Sequence, residues 1–361
     1  MIKILHLYPD INLTCGISKT IYLIATNIEE NYQTHIFCLG GDGIEKFKKA
    51  KIDIIVFPVQ KRRLVQTFRV FIKLFSIVRV QKIDIIHSHH RYFDLLAHII
   101  SKFISIETIT SVHSKVYGKK HISYKSEILI ACSNCIKEHL IKYYQIDPKK
   151  IQVIHNFVDL SEAKIQMDKD VLKRELGIEE KTIVIGFIGR FSIPEKGIDI
   201  LLEAFKSIPP EYANLKLVMI GDGDDKNYID DFITNNNLNV IALSPKRYIY
   251  DYINLIDIVV LPSKVDPFPL VMIETGLMKK AFIGSDVDGI KEFIENGKDG
   301  FLFPIEKVDL LTEKLNDLIS NPKLRKKIGE ELYNKVVNNF TSNKIIPLYK
   351  QSYQQLMKNY R

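Results

Sequence analysis

Cysteine is scarce in this sequence of 361 residues, which has four, at positions 15, 38, 132 and 135. So few and such scattered cysteines exclude the dense disulfide framework of small secreted domains. Long apolar runs are also missing, because no segment approaches the roughly 18 apolar residues of a membrane-spanning helix. The first segment, MIKILHLYP, lacks the cleavage site of a signal peptide and predicts a strand. These absences predict a cytoplasmic protein.

Two groups of residues could ligate a metal, and neither is complete. Cys132, Cys135 and His139 could share one face of a helix, but no second ligand cluster accompanies them. Three histidines end the predicted strand KIDIIHSHH: His87, His89 and His90. The neighbouring sequence offers no carboxylate or further histidine to complete a site there. We therefore expect ordinary packing for both groups and no bound metal.

Positive charge is unevenly distributed along the chain. The formal net charge is +8, and residues 1–160 alone hold 23 Lys and Arg against 13 Asp and Glu, a net charge of +10. This asymmetry indicates that the first half meets an anionic surface. The basic residues are not interleaved with aromatics in a recognised nucleic-acid module, so we expect a membrane surface and no nucleic acid.

The segment KRRLVQTFRVFIKLFSIVRV, residues 61–80, predicts an amphipathic helix. Its apolar stripe recurs at helical spacing and consists of Leu64, Phe68, Phe71, Phe75 and Val78. Arg62, Arg69 and Lys73 fall along another face. The pattern favours a buried crossover helix with a basic, solvated side, and it leaves open a helix that lies on a membrane surface.

Strands and helices alternate in both halves of the chain. Apolar runs such as IKILHLYP in the first half and IVIGFIGR in the second are typical of strands buried on both faces of a parallel sheet. The alternation predicts an α/β fold with two doubly wound parallel-sheet, Rossmann-like domains. We place the first domain at residues 1–162, a polar linker at 163–180, the second domain at 181–341 and a terminal helix at 342–361.

The stretch LPSKVDPFPLVMIE, residues 261–274, contains a turn that can bind an anion. Pro267 and Pro269 cannot continue the preceding strand, and they mark a bend into a helix that begins near Leu270. The backbone amides of Phe268, Leu270 and Val271 then lie at a helix N-terminus. Unpaired N–H groups and the helix dipole favour a negative charge at such a point.

Two acids bracket this turn. Asp266 precedes the predicted helix, and Glu274 lies eight positions later within it. Ionised carboxylates act only as hydrogen-bond acceptors, so the pair suits the hydroxyl groups of a sugar or a ribose. The alternative is a strand, turn and helix with ordinary solvated acids, because short motifs are only hypotheses.

Two cations flank a second loop, FSIPEKG, which joins the predicted strand IVIGFIGR to the helix IDILLEAF. They are Arg190 and Lys196. Guanidinium and ammonium groups beside a helix N-terminus suit a diphosphate.

The stretch DPFPLVMIE, followed by GSDVDGIKEFIENGKDGFLF, resembles the signature region of the retaining glycosyltransferases of family 4. In that family two acids at this spacing hold the donor sugar's hydroxyls and the ribose, which assigns these roles to Asp266 and Glu274. The family's Gly-Arg and Lys-Gly pairs match Arg190 and Lys196, which would bind the donor's phosphates. Asp266 stands where the family has glutamate, and Pro269 stands where a glycine is usual and removes one N–H donor.

Two residues of the first half complete the candidate site. Gly16 lies where a strand turns into a helix, so the backbone there can approach a ligand closely. The family usually has two adjacent glycines in this loop, and here Cys15 replaces the first. His113 ends the strand TITSVHS and matches the family's cleft histidine, which the resemblance places near the donor sugar and the acceptor side.

The resemblance spans nearly the whole chain and implies the GT-B architecture, in which two Rossmann-like domains face across a cleft and a terminal helix crosses back to the first. It implies a retaining glycosyltransferase that moves a hexose or N-acetylhexosamine from a UDP- or GDP-linked donor to an acceptor hydroxyl. We expect lipopolysaccharide, capsule or other surface glycan synthesis, with a lipid-linked glycan acceptor, at the inner face of the cell membrane, and without cofactor or metal.

Three alternatives stay open at this point. The architecture also suits a nucleotide-sugar epimerase, which needs no acceptor, and a sugar phosphorylase, which requires inorganic phosphate. The basic first half also suits a non-catalytic protein that interacts with a membrane surface. Nucleotide binding separates that protein from the enzymes.

Overall fold

The computed structural model describes residues 1–28, 31–59, 64–212 and 214–359. The chain forms two compact units. Unit 1 comprises Met1–Asn156 together with Ser342–Arg361, and unit 2 comprises Phe157–Thr341. No helix in these ranges is both long enough and apolar enough to cross a membrane.

Unit 1 contains a seven-stranded sheet in which every pair of neighbouring strands is parallel. Its strands are β1 (Ile2–Leu7), β2 (Tyr32–Cys38), β3 (Asp53–Val56), β4 (Ile85–Ser88), β5 (Glu107–Val112), β6 (Ile128–Ala131) and β7 (Ile151–Val153). They lie in the order β3-β2-β1-β4-β5-β6-β7. The middle strands are buried because helices cover both faces, as the apolar runs predict.

The helices of unit 1 follow most of its strands. They are α1 (Gly16–Asn27), α2 (Ile44–Lys49), α3 (Leu64–Gln81), α4 (Arg91–Ser101) and α5 (Asn134–Lys142), with single 3-10 turns at Lys120–Ile122 and Pro148–Lys150. The C-terminal helix α15 (Ser342–Asn359) also belongs to this unit and contacts α1.

Unit 2 contains a six-stranded sheet, again parallel at every pair of neighbours. Its strands are β8 (Ile183–Ile188), β9 (Leu215–Ile220), β10 (Val240–Leu243), β11 (Ile258–Leu261), β12 (Ala281–Ser285) and β13 (Phe301–Phe303). Their order is β10-β9-β8-β11-β12-β13. The strand order therefore reverses between β8 and β11, which are neighbours in the sheet.

Nine helices are described in unit 2. They are α6 (Lys169–Glu175), α7 (Ile193–Lys196), α8 (Ile198–Lys206), α9 (Lys226–Asn235), α10 (Ile249–Leu255), α11 (Leu270–Leu277), α12 (Asp288–Phe293), α13 (Val308–Ser320) and α14 (Pro322–Asn339). The segment 163–180 contains α6 and is part of this unit. Both sheets are parallel and flanked by helices, so the predicted α/β class with two doubly wound domains is confirmed.

Helix α3 differs from its sequence-based prediction. The structure describes it from Leu64, and residues 60–63, with Arg62, lie outside the described residues. Its buried side chains are Val70, Leu74, Ile77 and Val78. The predicted stripe is wrong at its start, because Leu64 is 91% exposed and Phe68 is 64% exposed. The helix has two apolar stripes, and the sheet packs against the stripe that contains Val70, Leu74 and Ile77.

Candidate active site

The candidate site of unit 2 lies where the strand order reverses. In open α/β sheets, the loops that follow the strands on either side of such a point separate and leave a crevice for a ligand. Here those loops follow β8 and β11, and they carry Arg190 with Lys196 and Asp266 with Glu274, respectively. The topology therefore brings the two predicted motifs to one edge of the sheet.

Lys196 and Asp266 contact each other directly. The Lys196 Nζ atom lies 2.5 Å from Asp266 Oδ2, and both side chains are largely shielded from water. The Ser263 hydroxyl donates a second hydrogen bond to the same oxygen, at 3.2 Å. The residues are seventy positions apart, so the fold turns two separate sequence motifs into one charge pair.

Backbone contacts hold the two loops together. The amides of Lys264 and Val265 both donate to the carbonyl of Glu195, at 2.8 and 3.2 Å. Gly197 ends α7 with a φ of +58°, and a Cβ at this position would lie 2.2 Å from the Pro262 carbonyl oxygen. A side chain there would therefore push the loops apart, which explains the Lys-Gly sequence in physical terms.

Residues of α12 hydrogen-bond to the turn before α11. The Asp266 amide donates to the Asp288 carboxylate at 3.2 Å, and the Gly289 amide donates to the Asp266 carbonyl at 3.1 Å. Helix α11 begins at Leu270, as predicted, and Pro269 is its N-cap. Leu270 and Val271, the first two residues of α11, are partly buried.

The Phe268 side chain packs in the interior. It is buried, and its ring centroid lies 5.7 Å from that of Phe293 and 5.9 Å from that of Phe340. The part of Phe268 that can serve a ligand is therefore its backbone amide. Glu274 is also buried, at 4% exposure, and lies one turn into α11.

Arg190 is the most exposed of the four predicted charged residues. Its side chain is 60% exposed and forms an ion pair with Glu195. The glycine before it is held close to the next loop, since a Cβ on Gly221 would lie 1.9 Å from the Gly189 carbonyl oxygen. An exposed guanidinium on a fixed backbone can change partners, so Glu195 can give way to an anionic ligand.

The candidate residues of unit 1 lie at the carboxyl edge of its own sheet. Gly16 is the first residue of α1, and Cys15 is its N-cap. His113 directly follows β5 and is partly buried. Burial lowers the pKa of His113 to about 4, so the imidazole is neutral at physiological pH.

A further histidine, His6 on β1, lies beside His89, and no sequence motif indicated it. His6 is fully buried, and burial lowers its pKa to about 3. Its Nδ1 atom lies 2.9 Å from His89 Nε2. A lone histidine in the apolar strand IKILHL gives no local sign of this contact, because the two rings are 83 positions apart.

The rings of His6, His87 and His89 could offer nitrogen atoms to a metal, since one such atom from each lies within 4.8 Å of the others. The His87 and His89 rings stack, however, with centroids 4.2 Å apart and an interplanar angle of 25°. Imidazole lone pairs lie in the ring plane, so stacked rings do not aim at a common ion 2.0–2.1 Å away, the usual Zn–N distance. His90 instead caps α4 by accepting from the Tyr92 amide.

Comparison with known proteins shows which family the chain belongs to. Residues 14–162 match the model described as Glycosyltransferase Family 4, and residues 168–335 match the model described as Glycosyl transferases group 1. The two matches follow each other along the chain and cover most of it. The chain is a family 4 glycosyltransferase.

Relatives of this glycosyltransferase include two from bacteria that align over nearly their whole length. It is 25% identical to UDP-Gal:α-D-GlcNAc-diphosphoundecaprenol α-1,3-galactosyltransferase of Escherichia coli, over 99% of this chain and 98% of the relative. It is 26% identical to the capsular polysaccharide biosynthesis glycosyltransferase CapM of Staphylococcus aureus, over the same shares. The predicted enzyme class is therefore confirmed.

Solved structures share the fold of this glycosyltransferase. The Anabaena protein HepE in complex with UDP and glucose superposes with a TM-score of 0.88 at 20% identity, over 99% of this chain and 100% of that one. A glycosyltransferase from Rickettsia africae superposes with a TM-score of 0.86 at 22% identity, over 99% of both chains. These similarities confirm the predicted GT-B fold.

Proposed function

We propose that this glycosyltransferase moves a sugar from a nucleotide diphosphate donor to an acceptor hydroxyl and retains the anomeric configuration. The main support for this proposal is the contact between Lys196 and Asp266, which lies where the strand order of unit 2 reverses. This contact places a cation that can bind a diphosphate beside a carboxylate that can accept hydrogen bonds from sugar hydroxyls. A nucleotide-sugar donor contains both a diphosphate and sugar hydroxyls. The Anabaena neighbours, which are described in complex with UDP and with UDP-glucose, support a donor of this class.

In the proposed reaction Lys196 and Arg190 stabilise the charge that develops on the leaving diphosphate. Their present partners, Asp266 and Glu195, occupy the cations until the phosphates arrive. Once the phosphates are bound, the two cations and the N–H groups at the start of α11 face the charge that develops, and such electrostatic stabilisation is usually among the largest catalytic contributions. No metal ion or other cofactor is needed in this scheme.

The two carboxylates and the residues of unit 1 take the remaining roles in the proposal. Asp266 accepts hydrogen bonds from hydroxyls of the donor sugar, and Glu274 accepts them from the ribose. The backbone amides of Phe268, Leu270 and Val271 face the donor. Gly16 allows close approach of the backbone, and His113 serves the donor sugar and the acceptor side.

We further propose that the acceptor is a lipid-linked glycan in the synthesis of a surface polysaccharide. The Escherichia coli relative is named for a diphosphoundecaprenol acceptor, and the Staphylococcus aureus relative is named for capsule synthesis. Unit 1 would then be the acceptor side and would hold the enzyme at the inner face of the membrane. The comparisons favour sugar transfer over an epimerase, a phosphorylase or a non-catalytic protein.

Ligand-induced stabilisation tests the donor class. Purified protein is heated with UDP, GDP and their hexose and N-acetylhexosamine conjugates, and the conjugate that is the donor should raise the unfolding temperature most. A ligand at 100 times its dissociation constant adds about 2.7 kcal/mol to the free energy of unfolding. The shift should disappear in Lys196→Gln and persist in Lys327→Gln, a matched change of an exposed lysine on α14. Equal shifts in both variants would contradict the assignment of Lys196.

A further inference from the structure

Three histidines of unit 1 form a continuous hydrogen-bonded chain, which we call the histidine relay: His6 on β1, His89 after β4 and His113 after β5. The His6 Nδ1 atom lies 2.9 Å from His89 Nε2, and His89 Nδ1 lies 3.2 Å from His113 Nε2. Strands β1, β4 and β5 are consecutive in the sheet, which is why their carboxyl ends bring the rings together.

The rings of the relay are neutral. Burial lowers the pKa of His6 to about 3 and that of His113 to about 4, and it lowers the pKa of His89 well below the usual range. A neutral imidazole carries one proton on one of its two nitrogens, so one nitrogen donates and the other accepts. The relay therefore holds three protons on six nitrogens.

Each hydrogen bond between two of these nitrogens needs one proton, which leaves two arrangements. In the first, every ring carries its proton on Nδ1, so Nδ1 of His113 is a donor and Nε2 of His6 is bare. In the second, every ring carries its proton on Nε2, so Nδ1 of His113 is bare and His6 has an N–H at Nε2. The tautomer of each ring therefore determines that of the others.

The buried end of the relay distinguishes the two arrangements. The Nε2 atom of His6 is inaccessible to water and has no hydrogen-bond partner among the described residues. The second arrangement would bury an N–H group there without an acceptor, and orphaned buried N–H groups are rarer in proteins than under-satisfied acceptors. The first arrangement leaves a bare nitrogen inside and places the N–H on His113, at the partly exposed end.

We propose that the histidine relay holds His113 as the neutral Nδ1–H tautomer, and that His6 and His89 are positioning residues for it. A neutral donor at this point recognises a hydroxyl oxygen, such as one on a sugar, without adding a charge. The relay does not conduct protons, because its inner end is closed. The role in substrate recognition rests on the proposed function of His113, whereas the tautomer itself does not.

Nitrogen NMR of protein labelled with ¹⁵N-histidine tests the relay without any substrate. In the wild type at neutral pH, the long-range proton–nitrogen correlations of His6, His89 and His113 should show Nδ1–H tautomers. The preference should be roughly tenfold or more, as an unpaired buried group typically imposes. An Nε2–H tautomer, an equal mixture or an imidazolium at His113 would overturn the proposal.

Two variants separate the relay from general effects of losing a buried histidine. His89→Phe keeps a ring but removes the link, so His113 should become a mixture of tautomers. His35→Phe removes a buried histidine from the adjacent strand β2, outside the relay, and should leave the His113 signals unchanged. Should His89→Phe not fold, the wild-type spectrum still decides the tautomer.

Turnover then tests the positioning role separately. His89→Phe should lower turnover at least about twofold, because a mixture presents a bare nitrogen in about half of the molecules, while His35→Phe should not. Unchanged turnover in a His89→Phe protein with mixed His113 tautomers would overturn the positioning role. In a different outcome, the wild-type protein shows the stated tautomers and transfers no sugar from any nucleotide donor. That result would refute the proposed function and leave the tautomer assignment intact.

Discussion

At the scale of single residues, the central feature is the pair formed by Lys196 and Asp266. The sequence motifs identified both residues, each in its own segment. Their contact could not be predicted, because seventy positions separate them and the strand order of the sheet decides that the loops meet. For the same reason the contact of His6 could not be predicted, because its partner His89 follows a different strand.

We expect Lys196→Ala and Arg190→Ala each to lower turnover by on the order of 10²-fold, because each removes a cation from the leaving diphosphate. The two variants should differ in stability. Lys196→Ala leaves the buried Asp266 carboxylate without its ion-pair partner and should cost about 1–3 kcal/mol, whereas the Arg190 pair is exposed and its loss should cost little. Steady-state kinetics and denaturant unfolding measure the two effects.

A double variant controls for misfolding. Lys196→Ala with Asp266→Asn removes both charges, so it should recover part of the lost free energy of unfolding and none of the turnover. Normal turnover in Lys196→Ala or Arg190→Ala would contradict the phosphate-binding role.

At the scale of elements, α3 shows what periodicity can and cannot predict. The sequence predicts the helix over its described part, Leu64–Gln81, to within one residue at its end. The choice between its two apolar stripes depends on the sheet that it packs against. The exposed stripe leaves apolar side chains in water beside basic ones, a combination typical of helices that lie in a membrane interface. These residues are Leu64, Val65, Phe68, Arg69, Ile72 and Lys73.

We expect this face of α3 to bind anionic membranes reversibly. Each basic side chain near an anionic leaflet contributes about 1 kcal/mol, and salt screens the attraction. In vesicle co-sedimentation, Arg69→Gln with Lys73→Gln should weaken binding to anionic vesicles at low salt, and Phe68→Ser should weaken it at all salt concentrations. Lys326→Gln with Lys327→Gln, the matched change on α14, should have no effect. Equal binding to neutral and anionic vesicles would show that electrostatic attraction does not contribute to membrane binding by α3.

Lys280, which directly precedes β12, has a testable electrostatic property. Burial lowers the pKa of Lys280 to about 8, with further repulsion from Lys169 and Lys173, while Asp257 raises it. The unfolded chain, with a lysine pKa near 10.4, therefore binds more protons than the folded protein between about pH 8 and 10. The free energy of unfolding should accordingly rise with pH across this window.

Comparing the wild type with Lys280→Met isolates this contribution. The variant should lack that part of the pH-dependent rise, and it should be the more stable protein at pH 7, where the buried ammonium is costly. Urea unfolding at a series of pH values measures both. Identical pH slopes for the two proteins would show that the Lys280 ammonium is not destabilised.

At the scale of the whole molecule, composition and alternation predicted the fold class because parallel strands buried on both faces produce apolar runs that stand out in the sequence. The candidate site was predicted to the level of motifs. Three features could not be predicted from the sequence. They are the pairing between distant loops, the burial of Phe268 against Phe293 and Phe340, and the choice of which stripe of the amphipathic helix α3 packs against the sheet. Each depends on contacts between segments far apart along the chain.

The proposed chemistry supplies positive charge from Lys196, Arg190 and the N-terminus of α11. We therefore expect turnover to persist in excess EDTA, since fixed cations take the role that a divalent ion has in other phosphate enzymes. Activity with and without the chelator, followed by addition of Mg²⁺ or Mn²⁺, provides the measurement. Complete loss in EDTA that a divalent ion restores would refute the metal-independent scheme.

The anomeric configuration of the product shows whether the enzyme transfers a sugar with retention. The protein is incubated with the α-linked nucleotide sugar that stabilises it best and with a lipid-linked glycan acceptor, and proton NMR follows the anomeric signals from the first turnovers. We expect an α-linked glycoside to appear in step with the release of the nucleoside diphosphate, and we expect neither with Lys196→Ala. A β-linked product, or sugar release that does not depend on the acceptor, would contradict the proposed transfer with retention.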